Sequence, residues 1–186
     1  MKTPLPSLIP LALAVLIATS GCSRTPAAAG STPQGSNPEP PPVTETAFPG
    51  PLNHAQPKLR TVKLWLGSVE LESEVAAREV EILTGMMFRE TMGEMEGMIF
   101  ILPGPPRKAS FYMRNTKVKL SCAYINQEGK ILEVHDLTPL DETPVESMTD
   151  EVKYVLEVPQ GWFQRHKIEV GALIRSEKGT LRETFR

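Results

Sequence analysis

The chain has 186 residues, enough for one domain or for one domain with a tail. Lys and Arg total 20 against 22 Asp and Glu, a formal charge of −2, which excludes the basic excess of a nucleic-acid binder and the composition of a wholly disordered acidic chain. Two cysteines exclude a disulfide scaffold and a four-thiolate zinc site.

The first segment reads as an address. Lys2 supplies a positive start, Leu8 to Ala18 is apolar apart from Pro10, and Thr19-Ser20-Gly21-Cys22 follows. A charged start, a short apolar stretch and small residues at a cut site make a secretory signal. The run is shorter than the roughly 20 apolar residues of a spanning helix. Small residues directly before Cys22 resemble a bacterial lipobox, although Thr19 stands where Leu is usual. Residues 1–21 are therefore expected to be a lipoprotein signal peptide and Cys22 the lipidation site. An acylated cysteine carries enough chain for stable anchoring at about 0.8 kcal/mol per buried CH₂. Ser23, rather than Asp, after the cysteine implies the periplasmic face of the outer membrane.

Residues 22–58 are rich in Pro, Ala, Ser, Thr and Gly and poor in large apolar side chains. Such a segment cannot bury enough surface to offset chain ordering, so it reads as a disordered tether. Pro38 and Pro40 to Pro42 bias it toward extended polyproline geometry.

Residues 59–186 form the candidate folded domain. Thr61 to Leu66 and Val69 to Val75 alternate around Gly67-Ser68 and predict a hairpin. Ala76 to Phe88 changes period: Val80, Leu83 and Met87 share a helical face, with Glu79, Glu81 and Arg78 mostly off it. Met98 to Leu102 predicts a buried strand stopped by Pro103-Gly104-Pro105-Pro106. Strands follow at Ser110 to Met113, Leu120 to Asn126 and Ile131 to Leu137, then a polar loop over Leu140 to Thr149. Tyr154 to Val158 is a further strand, Trp162 to His166 a helical turn, and Ala172 to Arg175 with Thr180 to Phe185 a closing hairpin. The expected fold is mainly β: a small sandwich or barrel-like domain with one packed helix.

Gly85-Met86-Met87-Phe88-Arg89, Gly97-Met98-Ile99-Phe100, Phe111-Tyr112-Met113-Arg114-Asn115-Thr116 and Tyr154-Val155-Leu156-Glu157, with Gly161 downstream, occur in that order. Together they resemble the bacterial and archaeal family of domain of unknown function 192, over about residues 60 to 180. The resemblance implies a mostly β fold and no settled activity. Tyr112 stands where that family has Trp, Arg114 where it has Lys, and Ser121 where it tends to have Asp. If that Asp is catalytic in relatives, this chain lacks it.

The candidate ligand-binding residues are Arg89, Arg114, Asn115, Thr116 and Glu157. A guanidinium can grip a carboxylate or phosphate with two parallel bonds. Asn115 and Thr116 can equally pin a turn. Glu157 sits inside an apolar strand, so it is either ion-paired with an arginine or turned toward a ligand. Arg107, Lys108, Arg114, Lys117 and Lys119 lie in a stretch with no acid between Gly97 and Gln127, either a solvated face or a contact for anionic envelope material. Cys122 reads as a small core residue, and His135 as structural. Met86, Met87, Met92, Met95 and Met98 raise a soft-donor copper site as a minor alternative, with Met92 and Met95 outside the family motifs. The overall expectation is a lipid-anchored envelope protein with a non-catalytic binding or accessory domain, no cofactor, no resident metal and no nucleic-acid partner. The alternative is a hydrolase or transferase on an envelope substrate, with Glu157 and Arg114 in its site.

Overall fold

A computed structural model describes residues 50–186. The expected signal peptide, Cys22 and most of the expected tether lie outside these described residues. Among the described residues, no helix is long and apolar enough to cross a membrane.

The hairpin is β1 (Thr61–Leu66) and β2 (Val69–Ala76), antiparallel with Leu66 opposite Val69. After β2 the chain forms α1 (Glu79–Thr84) and returns as β3 (Glu96–Ile101), parallel to β2. A parallel return needs a crossover, and α1 with its flanking turns supplies it. The short ribbon strand β4 (Ser110–Phe111) precedes β5 (Leu120–Ile125) and β6 (Ile131–Leu137). The ribbon's other strand is β7 (Val145–Glu146), followed by β8 (Tyr154–Pro159) and α2 (Trp162–Arg165). β9 (Ile174–Ser176), β10 (Gly179–Thr180) and α3 (Leu181–Thr184) close the chain. Eight strands make one curled sheet in the order β10-β9-β1-β2-β3-β8-β5-β6, and β4 and β7 form a separate ribbon.

The central strands β3, β8 and β5 are buried on both faces, which is why they read as near-continuous apolar runs rather than as alternations. One face carries Leu64, Leu71, Ile99, Ala123, Leu156 and Trp162. The other carries Met98, Phe100, Cys122, Tyr124, Val155 and Met86. Side chains alternate along a strand, so Glu157 joins Val155 on this second face.

Four local expectations need correction. The helix expected over 76–88 is only Glu79–Thr84. Glu81, placed off the apolar face by periodicity, is buried instead: its Oε2 accepts the Ala77 and Arg78 N–H groups at 3.0 and 2.9 Å. Burial alone would raise its pKa, but those donors and the Arg78 guanidinium leave it lowered. The closing hairpin forms but is short, with Thr180 of β10 opposite Arg175 of β9, and Leu181–Thr184 is helical rather than extended because Thr180-Leu181-Arg182-Glu183 is a capping box. Glu183 Oε2 accepts the Thr180 N–H at 2.8 Å and Thr180 Oγ1 accepts the Glu183 N–H at 3.2 Å. The loop after β6 contains β7.

The last tether residues belong to the domain. Gln56 is buried, and its Nε2 donates to the Gly85 and Glu81 carbonyls at 2.8 and 3.2 Å. It thereby satisfies the Gly85 carbonyl just past the end of α1 and adds a second bond to the Glu81 carbonyl, which also accepts the Gly85 N–H.

Gly129, in the β5–β6 turn, has φ +89, and a Cβ there would lie 2.7 Å from the Ile174 carbonyl oxygen. Gly129→Ala is expected to cost about 2–3 kcal/mol, from a strained φ and a backbone clash. Urea unfolding checks this; a loss below about 0.5 kcal/mol, the range of a neutral surface change, contradicts it.

Candidate functional site

Strand register sets a row of chemically distinctive residues across the second face. Glu74 on β2 pairs with Met98 on β3, Met98 with Glu157 on β8, Glu157 with Cys122 on β5, and Cys122 with His135 on β6. Directly opposed residues share a face. Gly97, next to Met98, allows this close pairing: a Cβ there would sit 3.0 Å from Leu71 Cδ2 and 3.1 Å from the Glu157 carbonyl oxygen.

Each end of the row is closed by its own partners. Arg89 Nη1 and Nη2 donate to Glu74 Oε1 and Oε2 at 2.7 and 2.9 Å. At the far end, His135 Nε2 lies 3.0 Å from Glu133 Oε2. Cys122 is a free, buried thiol, its pKa raised first by burial and then by the charge of Glu157. Glu157, in the middle, is different. It is 4% exposed, and its Oε2 has no hydrogen-bond partner. Among the described residues it forms no ion pair. Burial pushes its carboxyl up to about 8, so it is a neutral O–H donor at neutral pH.

Glu157 lines a cavity of about 210 Å³. Ile82, Leu83, Met86 and Met87 from α1 and the turn after it cover one side. Phe100 and Leu102 come from β3 and its end, and Ala109, Ser110, Phe111 and Tyr112 from the ribbon segment. Phe100 and Phe111 meet edge to face at 5.0 Å. Thr84, Thr116, Arg107 and Lys108 complete the lining.

The five candidate residues therefore divide. Thr116 and Glu157 line the cavity together; Arg89, Arg114 and Asn115 do not. Arg114 is exposed, donates from Nε to Glu142 Oε2 at 2.9 Å and lies over the Tyr112 ring at 5.1 Å. Its pKa is raised, chiefly by that hydrogen bond. Asn115 is exposed, takes a left-handed φ of 52°, and its carbonyl accepts the Phe88 N–H at 2.8 Å. Thr116 Oγ1 donates to the Arg114 carbonyl at 3.1 Å. Arg114, Asn115 and Thr116 thus form a turn that ties the α1 region to the segment before β5. Reasoning from sequence overlooked Arg107 and Lys108 as site residues, although their charge run was visible. Family-motif Met86 and Met87 are buried at the cavity, whereas Met92 packs on the second core and Met95 is 41% exposed. The described residues contain no cluster of three or more His, Cys, Asp or Glu side chains placed to hold a metal.

Ser121 is buried on the other face. Its Oγ donates to Asp136 Oδ1 and accepts the Gly161 N–H at 2.8 Å. A second hollow, of about 260 Å³, lies beside this pair.

A mainly β domain of this topology, with a helical crossover and a ribbon over one sheet face, defines the class. The chain belongs to the family described as uncharacterized ACR, domain of unknown function 192, whose model matches residues 62–176. No curated protein matches. A solved structure of a candidate transcription regulator from Sinorhizobium meliloti is similar, with a TM-score of 0.62 and 24% identity, over 66% of this chain and 98% of that one; at that identity it shares the fold alone. A protein of unknown function from Novosphingobium aromaticivorans is 31% identical, with a TM-score of 0.58, over 63% of this chain and 86% of that one.

Proposed function

We propose that this protein is a lipid-anchored envelope protein whose folded domain is a non-catalytic module binding a small organic ligand beside Glu157. One observation carries the ligand-binding reading: a buried carboxyl whose Oε2 has no partner lines a cavity walled by Ile, Leu, Met and Phe side chains together with several polar ones. Buried polar groups in folded proteins normally have partners, because leaving one bare costs about 1–3 kcal/mol. A ligand oxygen supplies the missing partner. Apolar and aromatic side chains combined with placed polar groups are the usual make-up of a small-molecule site. Catalysis by Glu157 with Arg114 has less support, since Arg114 pairs with Glu142 outside the cavity.

An amide NMR screen of the purified domain against small organic molecules tests the ligand reading. Binders are expected to shift residues 82–87, 107–112 and 116 together. A screen whose hits shift only residues elsewhere contradicts it. The anchor rests on Leu8 to Ala18 and Cys22. Mass spectrometry of the native protein is expected to find an acylated Cys22 as the first residue. An unmodified start, or cleavage elsewhere, overturns that part alone.

A further inference from the structure

We infer that the ligand is a small amphipathic organic acid, with its anionic group held at the cavity rim by Arg107 and Lys108, an apolar body between Met86, Met87, Phe100 and Phe111, and a carbonyl or hydroxyl oxygen at the buried end on Glu157. This rests on the reading of the cavity as a ligand site and adds the chemistry of what fills it.

The lining is graded by depth. Arg107 and Lys108 are exposed, while Glu157 on the same cavity is 4% exposed. Neither cation forms an ion pair among the described residues. Arg107 spends one nitrogen, Nη1, on the Pro103 carbonyl at 2.6 Å, and its other donors remain for an anion. Two exposed cations at the entrance raise the local concentration of anions and repel ammonium ligands. A cationic ligand is disfavoured a second time at the buried end, where it would have to ionise a carboxyl that burial holds neutral up to about 8. A neutral carboxyl instead donates its proton to an uncharged oxygen.

The walls set the middle of the ligand. Met86 and Met87 adapt to irregular shapes, and Phe100 and Phe111 present aromatic surface. The volume of about 210 Å³ holds on the order of seven to ten non-hydrogen atoms at roughly 20–30 Å³ each. That is a ring or short chain with one small polar group, the charge remaining at the rim.

Four probes isolate these features: para-acetylbenzoate, para-ethylbenzoate, acetophenone and para-acetylbenzylamine. Binding is followed by amide NMR titration, so that location and affinity are read together. Para-acetylbenzoate is expected to bind at the cavity at least about tenfold more tightly than the amine or the ethyl analogue. The double variant Arg107→Ala, Lys108→Ala removes about tenfold of its affinity and leaves acetophenone unchanged. Glu157→Met, which is likewise unbranched and of similar length but has no O–H to donate, erases the preference for acetyl over ethyl. If acetophenone binds at the cavity but the acid gains nothing over it, or the amine binds best, the inference fails while the cavity remains a ligand site. If none of the four shifts the cavity residues, the inference fails outright, and the wider screen decides whether the site reading stands.

Discussion

At pH 8, Glu157→Gln is expected to be more stable than the unaltered domain, and the advantage is expected to shrink steadily as the pH falls to about 5. Glu157 has an ordinary carboxyl pKa of 4.5 when exposed and is pushed up to about 8 by burial in the folded chain. A raised native pKa means that the folded state holds its proton while the unfolded chain releases it. Stability is therefore fully present below pH 4.5 and is lost progressively as the pH climbs through 8. Each pH unit in that window costs about 1.4 kcal/mol, so the whole effect is on the order of 5 kcal/mol. Glutamine keeps the shape and has no proton to lose. The groups facing Glu157 do not oppose this slope. Met98 on one side carries no charge, and the Cys122 thiol on the other is pushed up by burial and stays neutral. Arg107 and Lys108 share the cavity but are exposed to solvent. Urea unfolding at pH 5, 6, 7 and 8 reads the difference directly. A constant gap between the two proteins across that range is the outcome that sinks the idea.

The same residue shows what sequence can and cannot deliver. Glu157 was legible as a candidate because an acid inside Tyr-Val-Leu-Glu-Val is out of place. Whether it meets an arginine depends on register and on the cover above the sheet, and neither is written locally. The answer turns on Met98 and Cys122 being its lateral neighbours. β1, β2, β3, β5, β6 and β8 were legible because period-two alternation or a double-sided apolar run marks each one. The helical end of the chain was missed: Thr180 and Glu183 carry the capping-box pattern, but the segment was read as the second strand of a hairpin. Arg107 and Lys108 were visible only as charge. Their place at the cavity follows from the turn after β3 and from the bridge between Arg107 and Val152, both of which are long-range facts. Gln56 was hidden for a different reason: it sits in a Pro-rich stretch, and its burial depends on carbonyls at the end of a helix much later in the chain.

Arg89 and Arg114 looked alike in the sequence, as cations within family motifs, and their truncations are expected to differ several-fold. Arg89→Ala should cost about 3 kcal/mol, close to the range for breaking a buried pair. Its side chain is 18% exposed and that of Glu74 is 12%, with two parallel bonds between them. Removing the guanidinium leaves a largely buried carboxylate with only the Leu59 N–H, at 2.6 Å, to hold it. Arg114→Ala should fall within about 0.5 kcal/mol of zero, since an exposed pair is screened and gains little. Its side chain is 47% exposed and that of Glu142 is 59%. The double change Arg89→Met, Glu74→Leu should regain most of the loss, because it removes both charges together. Urea unfolding of all three variants checks the order, and titration with para-acetylbenzoate checks that the cavity is unaffected. If Arg89→Ala proved as mild as Arg114→Ala while abolishing binding, Arg89 would be a ligand-holding group and not the clamp between the α1 turn and β2.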